Sequence, residues 1–203
     1  MAIISNAVTI ADAGAFSASL GSMVLIKTLT ASSSANLTFV HGASSVVFNN
    51  TYPIYKFVYT NIHPATDGAK LTVGFRDGAT AYDAPKMATL IIAYHNEDDG
   101  GAGAFYSETY DLGVNDTNYA VITSLLSANE ADACAGGYLH IFNPASGLIK
   151  NYFGVTSSST ASNEASQDLF SGYINTTTAI DAVQFKMSSG NIDAGDICLY
   201  GIK

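Results

Sequence analysis

Ala182-Val183-Gln184-Phe185-Lys186-Met187 alternates in chemistry along its length. In an extended chain Val183, Phe185 and Met187 fall on one side, and Ala182, Gln184, Lys186 and Ser188 on the other. Leu71-Thr72-Val73-Gly74-Phe75-Arg76 repeats the pattern, with Leu71, Val73 and Phe75 opposing Thr72, Gly74 and Arg76. Period-two alternation predicts a strand with one buried face and one wet face. That is the habit of antiparallel sheets; strands of parallel sheets are covered on both sides and read as continuous apolar runs.

Working outward, β-branched and aromatic runs recur between Gly, Asn, Asp, Ser and Pro punctuation. The segments are 24–30, 36–41, 54–61, 71–76, 88–95, 119–123, 138–142, 149–156, 169–175, 182–187 and 197–202. Helical spacing is nearly absent. One exception is 122–133, where Ile122, Leu125, Leu126 and Asn129 permit a short helix, capped by Asp116 or Thr117. Residues 96–103 and 157–167 read as surface loops. The expected fold is all-β: two antiparallel sheets stacked as a sandwich, of jelly-roll type given the strand number and the long returns. A chain of 203 residues suits one such domain, placed at 24–203. Residues 1–23 read as an N-terminal arm. Its apolar side chains Ile3, Ile4, Val8, Ile10, Phe16 and Leu20 follow no clean period, and they are the candidate contacts to a partner.

Charge narrows the function classes. Lys and Arg total 8 against 17 Asp and Glu, a net −9, and charged residues make up only 12%. No basic cluster exists, so neither a nucleic-acid backbone nor an anionic membrane surface is an expected partner. A surface built from Ser, Thr, Asn and Gly suits assembly against other protein. No Lys or Arg precedes Lys27, so no basic leader region is seen and the chain is expected to fold in a cytosol. Cys134 and Cys198, the only two cysteines, match no zinc or redox spacing and are expected to be free thiols.

Motifs for chemistry are missing. His41, His63, His95 and His140 form no i, i+4 pair, and no cysteine lies near them. Glu97, Asp98 and Asp99 carry oxygens that Ca²⁺ would accept, but without alternating ligands they read as a solvated hairpin tip. There is no Gly-x-Ser-x-Gly elbow and no H-E-x-x-H. Gly100-Gly101-Ala102-Gly103 lacks the lysine of a phosphate loop. No catalytic residue, metal or cofactor is expected. Of the 12 tyrosines, Tyr55 and Tyr59 read as residues of a sandwich edge, and Tyr106 and Tyr110 as part of a polar loop. Trp, the residue most used to stack sugars, is absent.

Three stretches together resemble a known group: Thr60 to Gly68 (TNIHPATDG), Tyr138 to Ser146 (YLHIFNPAS) and Gly172 to Lys203. They are similar to β-rich virion structural proteins of tailed bacteriophages. The closing pattern is the most specific part: a strand at 182–187, a Ser-Ser-Gly-Asn turn, Ala194-Gly195, then Leu199-Tyr200-Gly201-Ile202. The resemblance implies a virion component assembled in the host cytoplasm. The expected role is a capsid decoration protein that binds the outer shell as a homo-oligomer, with a trimer favoured. Its partner would be the major capsid protein or another virion protein. A tail-associated adhesin that binds host surface glycans is the alternative, and a glycan-cleaving enzyme stands furthest off.

Overall fold

The computed structural model describes residues 22–203 in full and, before them, only the backbone of three short strands. Those are β1 (Ile3–Ser5), β2 (Val8–Asp12) and β3 (Ala15–Phe16), which pair antiparallel in the order β1-β2-β3. Leu20 and the side chains of Ile3, Ile4, Val8, Ile10 and Phe16 lie outside the described residues.

From Met23 onward the chain forms β4 (Met23–Ser34), β5 (Leu37–Val40), β6 (Ile54–Pro64), β7 (Leu71–Arg76), β8 (Lys86–Asn96) and β9 (Ala102–Tyr106). There follow β10 (Leu112–Asp116), β11 (Ala120–Val121), β12 (Ala135–Phe142), β13 (Lys150–Ser159), β14 (Glu164–Ile174), β15 (Ala182–Met187) and β16 (Ile192–Ile202). All pairings between these strands are antiparallel and make two sheets. The large sheet runs β4-β16-β6-β12-β13-β14-β8-β10, with β9 beside β10 on the free side of β8. The small sheet runs β5-β15-β7-β11. The expectation of an all-β protein with two antiparallel sheets therefore holds, and no helix occurs among the described residues.

Alternation fixes which side of each strand is buried. Tyr55, Phe57, Tyr59 and Ile62 of β6 point inward, as do Leu139 and Ile141 of β12 and Ile197 and Leu199 of β16. Phe39 and Phe185 of the small sheet meet Phe57 of the large one, with ring centroids 5.2 and 5.3 Å away. Further along, Phe75 packs on Tyr152 at 5.2 Å. Truncating one such ring to Ala typically costs about 3–5 kcal/mol, so these rings clamp the sheets together. One polar chain also crosses between sheets. Thr156 Oγ1 donates to the Ile122 carbonyl at 2.6 Å, which leaves Tyr59 Oη, also at 2.6 Å, to donate to Thr156.

Several expectations need correction. Tyr55 and Tyr59 are fully buried mid-sheet, because β6 has neighbours on both sides; they are core and not edge. The polar side of β7 is not wet: Thr72 and Gly74 are buried along with Leu71, Val73 and Phe75. The Tyr119 ring lies over Gly74, where a Cβ would stand 2.5 Å from the ring. Segment 122–133 is not helical, because its backbone donors are drawn to other strands: Ile122 N to Leu71 O at 3.0 Å and Leu126 N to Ala69 O at 2.9 Å. Of the two expected loops, 157–167 is largely strand, whereas 96–103 keeps a largely exposed turn over 97–101 between two strand ends. β13 and β14 reach to Ser159 and from Glu164, leaving only the turn between them, and Ala102 and Gly103 open β9. Tyr106 closes β9, a strand that its Gly-rich approach concealed.

Candidate functional site

The large sheet is twice as wide as the small one, which leaves two unlike surfaces. Phe75 of the small sheet reaches Tyr152 of β13 on the inner face. Beyond it the roof includes segment 122–126, where Ser124 is tied to Asp168 of β14, and Tyr110, which packs against the core.

A cleft of about 290 Å³ opens where this roof stops short. Its aromatic side comes from Tyr94 of β8 and Phe105 of β9. Phe105 pairs with Ile92, the cleft's apolar floor, and so faces inward with it. The two rings meet edge to face with centroids 6.3 Å apart. Gly103 sits opposite Tyr94 and lets the ring lie close, since a Cβ there would stand 3.0 Å from it. Tyr110 adds a third ring, with Lys70 Nζ held 4.7 Å from its centroid. The polar side comes from Glu164 of β14, from Thr160 and Ser162 of the preceding turn, and from Ser124 across the cleft. Glu164 Oε2 accepts one long bond, 3.3 Å from Thr160 Oγ1, so most of its accepting capacity is unspent.

Beside the floor lies a buried polar knot. Asp168 pairs with Ile92 and is fully buried. Its carboxylate accepts the Ser124 N–H at 2.6 Å, the Ser124 hydroxyl at 2.5 Å and the Ser166 hydroxyl at 2.9 Å. Burial raises the Asp168 pKa, opposed by those three bonds. Both oxygens are thus committed to fixing the 124 segment. Glu164 is the one carboxylate that lines the cleft, and no imidazole lines it.

The second surface is the outer face of the large sheet. Register places Tyr106, Ile91, Leu169, Val155, Tyr138, Val58 and Cys198 in one row across seven strands. The adjacent row carries Thr89, Ser171, Phe153, His140, Lys56 and Tyr200. Ile91, Leu169 and Phe153 are 44%, 44% and 41% exposed, far above core values. His140 packs against Tyr138 at 5.0 Å and Phe153 at 5.3 Å, and Phe142 stacks on Phe153 at 5.7 Å. Lys56 is the one charge in these two rows, and its Nζ stands 4.6 Å over the Tyr138 ring. Burial, then the Lys56 charge, lowers the His140 pKa, which favours the neutral ring.

The residues singled out from sequence are scattered. His41 Nδ1 accepts the Phe48 N–H at 2.9 Å, and His63 stands 3.6 Å from Asp193. His95 meets Asp99 at 3.1 Å on the exposed β8–β9 turn, and Asp98 caps Gly100 N at 2.8 Å. No cluster of three His, Cys, Asp or Glu forms among the described residues. Cys134 and Cys198 are free thiols; Cys198 Sγ lies 3.3 Å from Thr28 Oγ1 on the neighbouring strand. Tyr94, Phe105, Glu164 and Asp168 escaped sequence reasoning. They sit on three strands and no local motif links them.

No family model and no curated protein matches this chain. Among solved structures, a chain titled "Structure of infectious bursal disease virus Gt strain" aligns at 13% identity and a TM-score of 0.15, a likeness that carries no argument. The alignment takes in 87% of this chain but spans only 42% of that one.

Proposed function

We propose that this chain is a virion structural protein: a capsid decoration protein that binds the outer shell of a tailed phage as a homo-oligomer, a trimer being the favoured form. The observation that carries the reading is the outer face of the large sheet. Two rows of side chains cross it with one charge between them, and exposed Ile91, Leu169 and Phe153 flank a packed aromatic cluster. Contiguous apolar patches of this kind mark contact surfaces. On this proposal the face meets a sister subunit, and the major capsid protein or another virion protein lies beyond.

Strand order adds support by analogy. Within the large sheet the order β4-β16-β6-β12 faces β5-β15-β7-β11 in the small one. We read these eight strands as a jelly roll, two interlocked Greek keys. On that reading β8 to β10 enter between β7 and β11, and β13 and β14 between β12 and β15, all widening one sheet. Jelly rolls serve as viral capsid domains and as lectins, so the fold alone does not choose between roles.

The test is copy number and position. In particles of the virus that encodes this chain, electron microscopy and quantitative mass spectrometry should find hundreds of copies on the shell. A few copies confined to the tail would overturn the decoration role.

A further inference from the structure

We propose that the cleft between β8, β9 and the 160–163 turn binds one neutral pyranose ring, a terminal or branch sugar of a glycan. The inference rests on the cleft alone and not on the shell assignment.

Three features select this ligand class. The first is shape and size. At about 290 Å³ the cleft lies at the low end for ligand sites, which run to about 300–1,000 Å³. It has room for a single ring but not for an extended chain. The second is the split lining. Phe105 is 49% exposed although its position pairs with buried Ile92, so it offers a bare aromatic face beside Tyr94. The C–H face of a pyranose stacks on such a surface, and its hydroxyl edge needs acceptors and donors. Glu164 and the exposed Ser162 hydroxyl stand opposite to supply them. The third is charge. Glu164 at the cleft and a net charge of −9 oppose phosphate, sulfate or carboxylate ligands.

A quaternary ammonium also suits an aromatic-lined site beside a carboxylate. The exposed Ser162 hydroxyl and the largely unspent Glu164 carboxylate favour the sugar, because an alkylated cation has no N–H or O–H to donate to them. The architecture also supports a built site. The Ser124 backbone is pinned by buried Asp168, and Gly103 is the residue that lets Tyr94 lie close. The polar wall is therefore set before any ligand arrives, which lowers the ordering cost of binding.

The experiment uses the full chain and the methyl glycosides of glucose, galactose, mannose and N-acetylglucosamine, with choline chloride as a parallel probe. Saturation-transfer and amide-shift NMR should show millimolar, saturable binding of at least one glycoside. Phe105→Ala and Glu164→Gln should each weaken it about tenfold. Both side chains are accessible, so neither change endangers the fold, and the amide spectrum reports folding in the same tube. Phe153→Ala, on the opposite face of the sheet, should leave binding unchanged. The proposal is overturned if none of the four glycosides binds, if binding survives Phe105→Ala, or if choline alone occupies the cleft. A chain that binds a glycoside but never a shell would sink the decoration role and leave this site standing.

Discussion

Lys86 and Lys150 flank Ile174 on neighbouring strands, and all three side chains are buried on the inner face of the large sheet. Neither ammonium has a carboxylate in contact. Lys86 Nζ donates to the Asn118 carbonyl at 2.7 Å, and Lys150 Nζ donates to the Thr176 and Thr178 carbonyls at 2.8 and 2.6 Å. The lysines thus gather, beside the core, loop carbonyls that would otherwise be left unpaired.

This arrangement has a pH signature. Burial lowers the Lys86 pKa to about 8, against the pull of Asp116, Asp83 and Asp77, and lowers that of Lys150 as well. Between about pH 8 and the ordinary lysine value of about 10.4, the unfolded chain binds a proton that the native chain does not, so stability rises with pH. Above about pH 10 the sign reverses. Buried Tyr59 and Tyr152, and Tyr119 at about 12, keep protons that unfolded tyrosines release. Thermal melts should therefore climb from about pH 8 to about pH 9.5 and then fall. Lys86→Met should flatten the climb; an unchanged climb in that variant would assign it elsewhere.

The Tyr59–Thr156–Ile122 relay gives a second test. Thr156→Val keeps the shape but strips one donor and one acceptor from a fully buried chain of bonds. The expected loss in urea denaturation is about 2 kcal/mol, because the Ile122 carbonyl loses the Thr156 hydroxyl and the Tyr59 hydroxyl keeps only a long contact, 3.5 Å, to the Val155 carbonyl. Thr156→Ser, which keeps the hydroxyl, should recover most of it. Equal losses in both variants would point to packing of the methyl group instead.

These examples also mark what the sequence disclosed. Alternation in 71–76 and 182–187 gave strands with the observed bounds, because period two is a local property. The buried lysines were invisible, since their positions at strand starts look like polar punctuation and only register reveals Ile174 between them. The cleft was hidden for a related reason: Tyr94, Phe105 and Glu164 become neighbours only once β14 and β9 pair on opposite sides of β8. Tyr55 and Tyr59 misled because tyrosine tolerates both an edge and a core. In this fold Asn49 and Thr156 satisfy their hydroxyls and permit full burial.

The outer face predicts a separation of folding from assembly. Phe153→Asp and Leu169→Asp alter side chains that are 41% and 44% exposed, so each should shift stability by less than about 1 kcal/mol. Together they place two charges on the face proposed to meet a sister subunit, and on that proposal they should abolish self-association in light scattering. A double variant that still associates as the parent does would move the contact off this face.

The arm makes a distinct claim. Ile3, Ile4, Val8, Ile10, Phe16 and Leu20 would expose several hundred Å² of apolar surface if left in water, worth several kcal/mol at about 25 cal/mol per Å². Ordering about twenty residues, at about 1–2 kcal/mol each for backbone, costs more than this burial returns, so on the proposed role a single arm would not hold by apolar contact alone and attachment would need several arms of an oligomer acting together. A variant lacking residues 1–21 should fold with an unchanged melt and lose attachment to particles. Undiminished attachment would assign the contact to the sheet face alone.

Lys203 N donates to the Ser22 carbonyl at 2.9 Å, and Met23 pairs with Ile202, so the two ends of the folded unit meet on one edge. A unit whose entrance and exit coincide behaves as a cassette. It can be spliced into a surface loop of an unrelated host protein without stretching either side, or opened at a turn such as 97–100 and rejoined through its ends. Such a domain can change neighbours by recombination while its interior stays untouched.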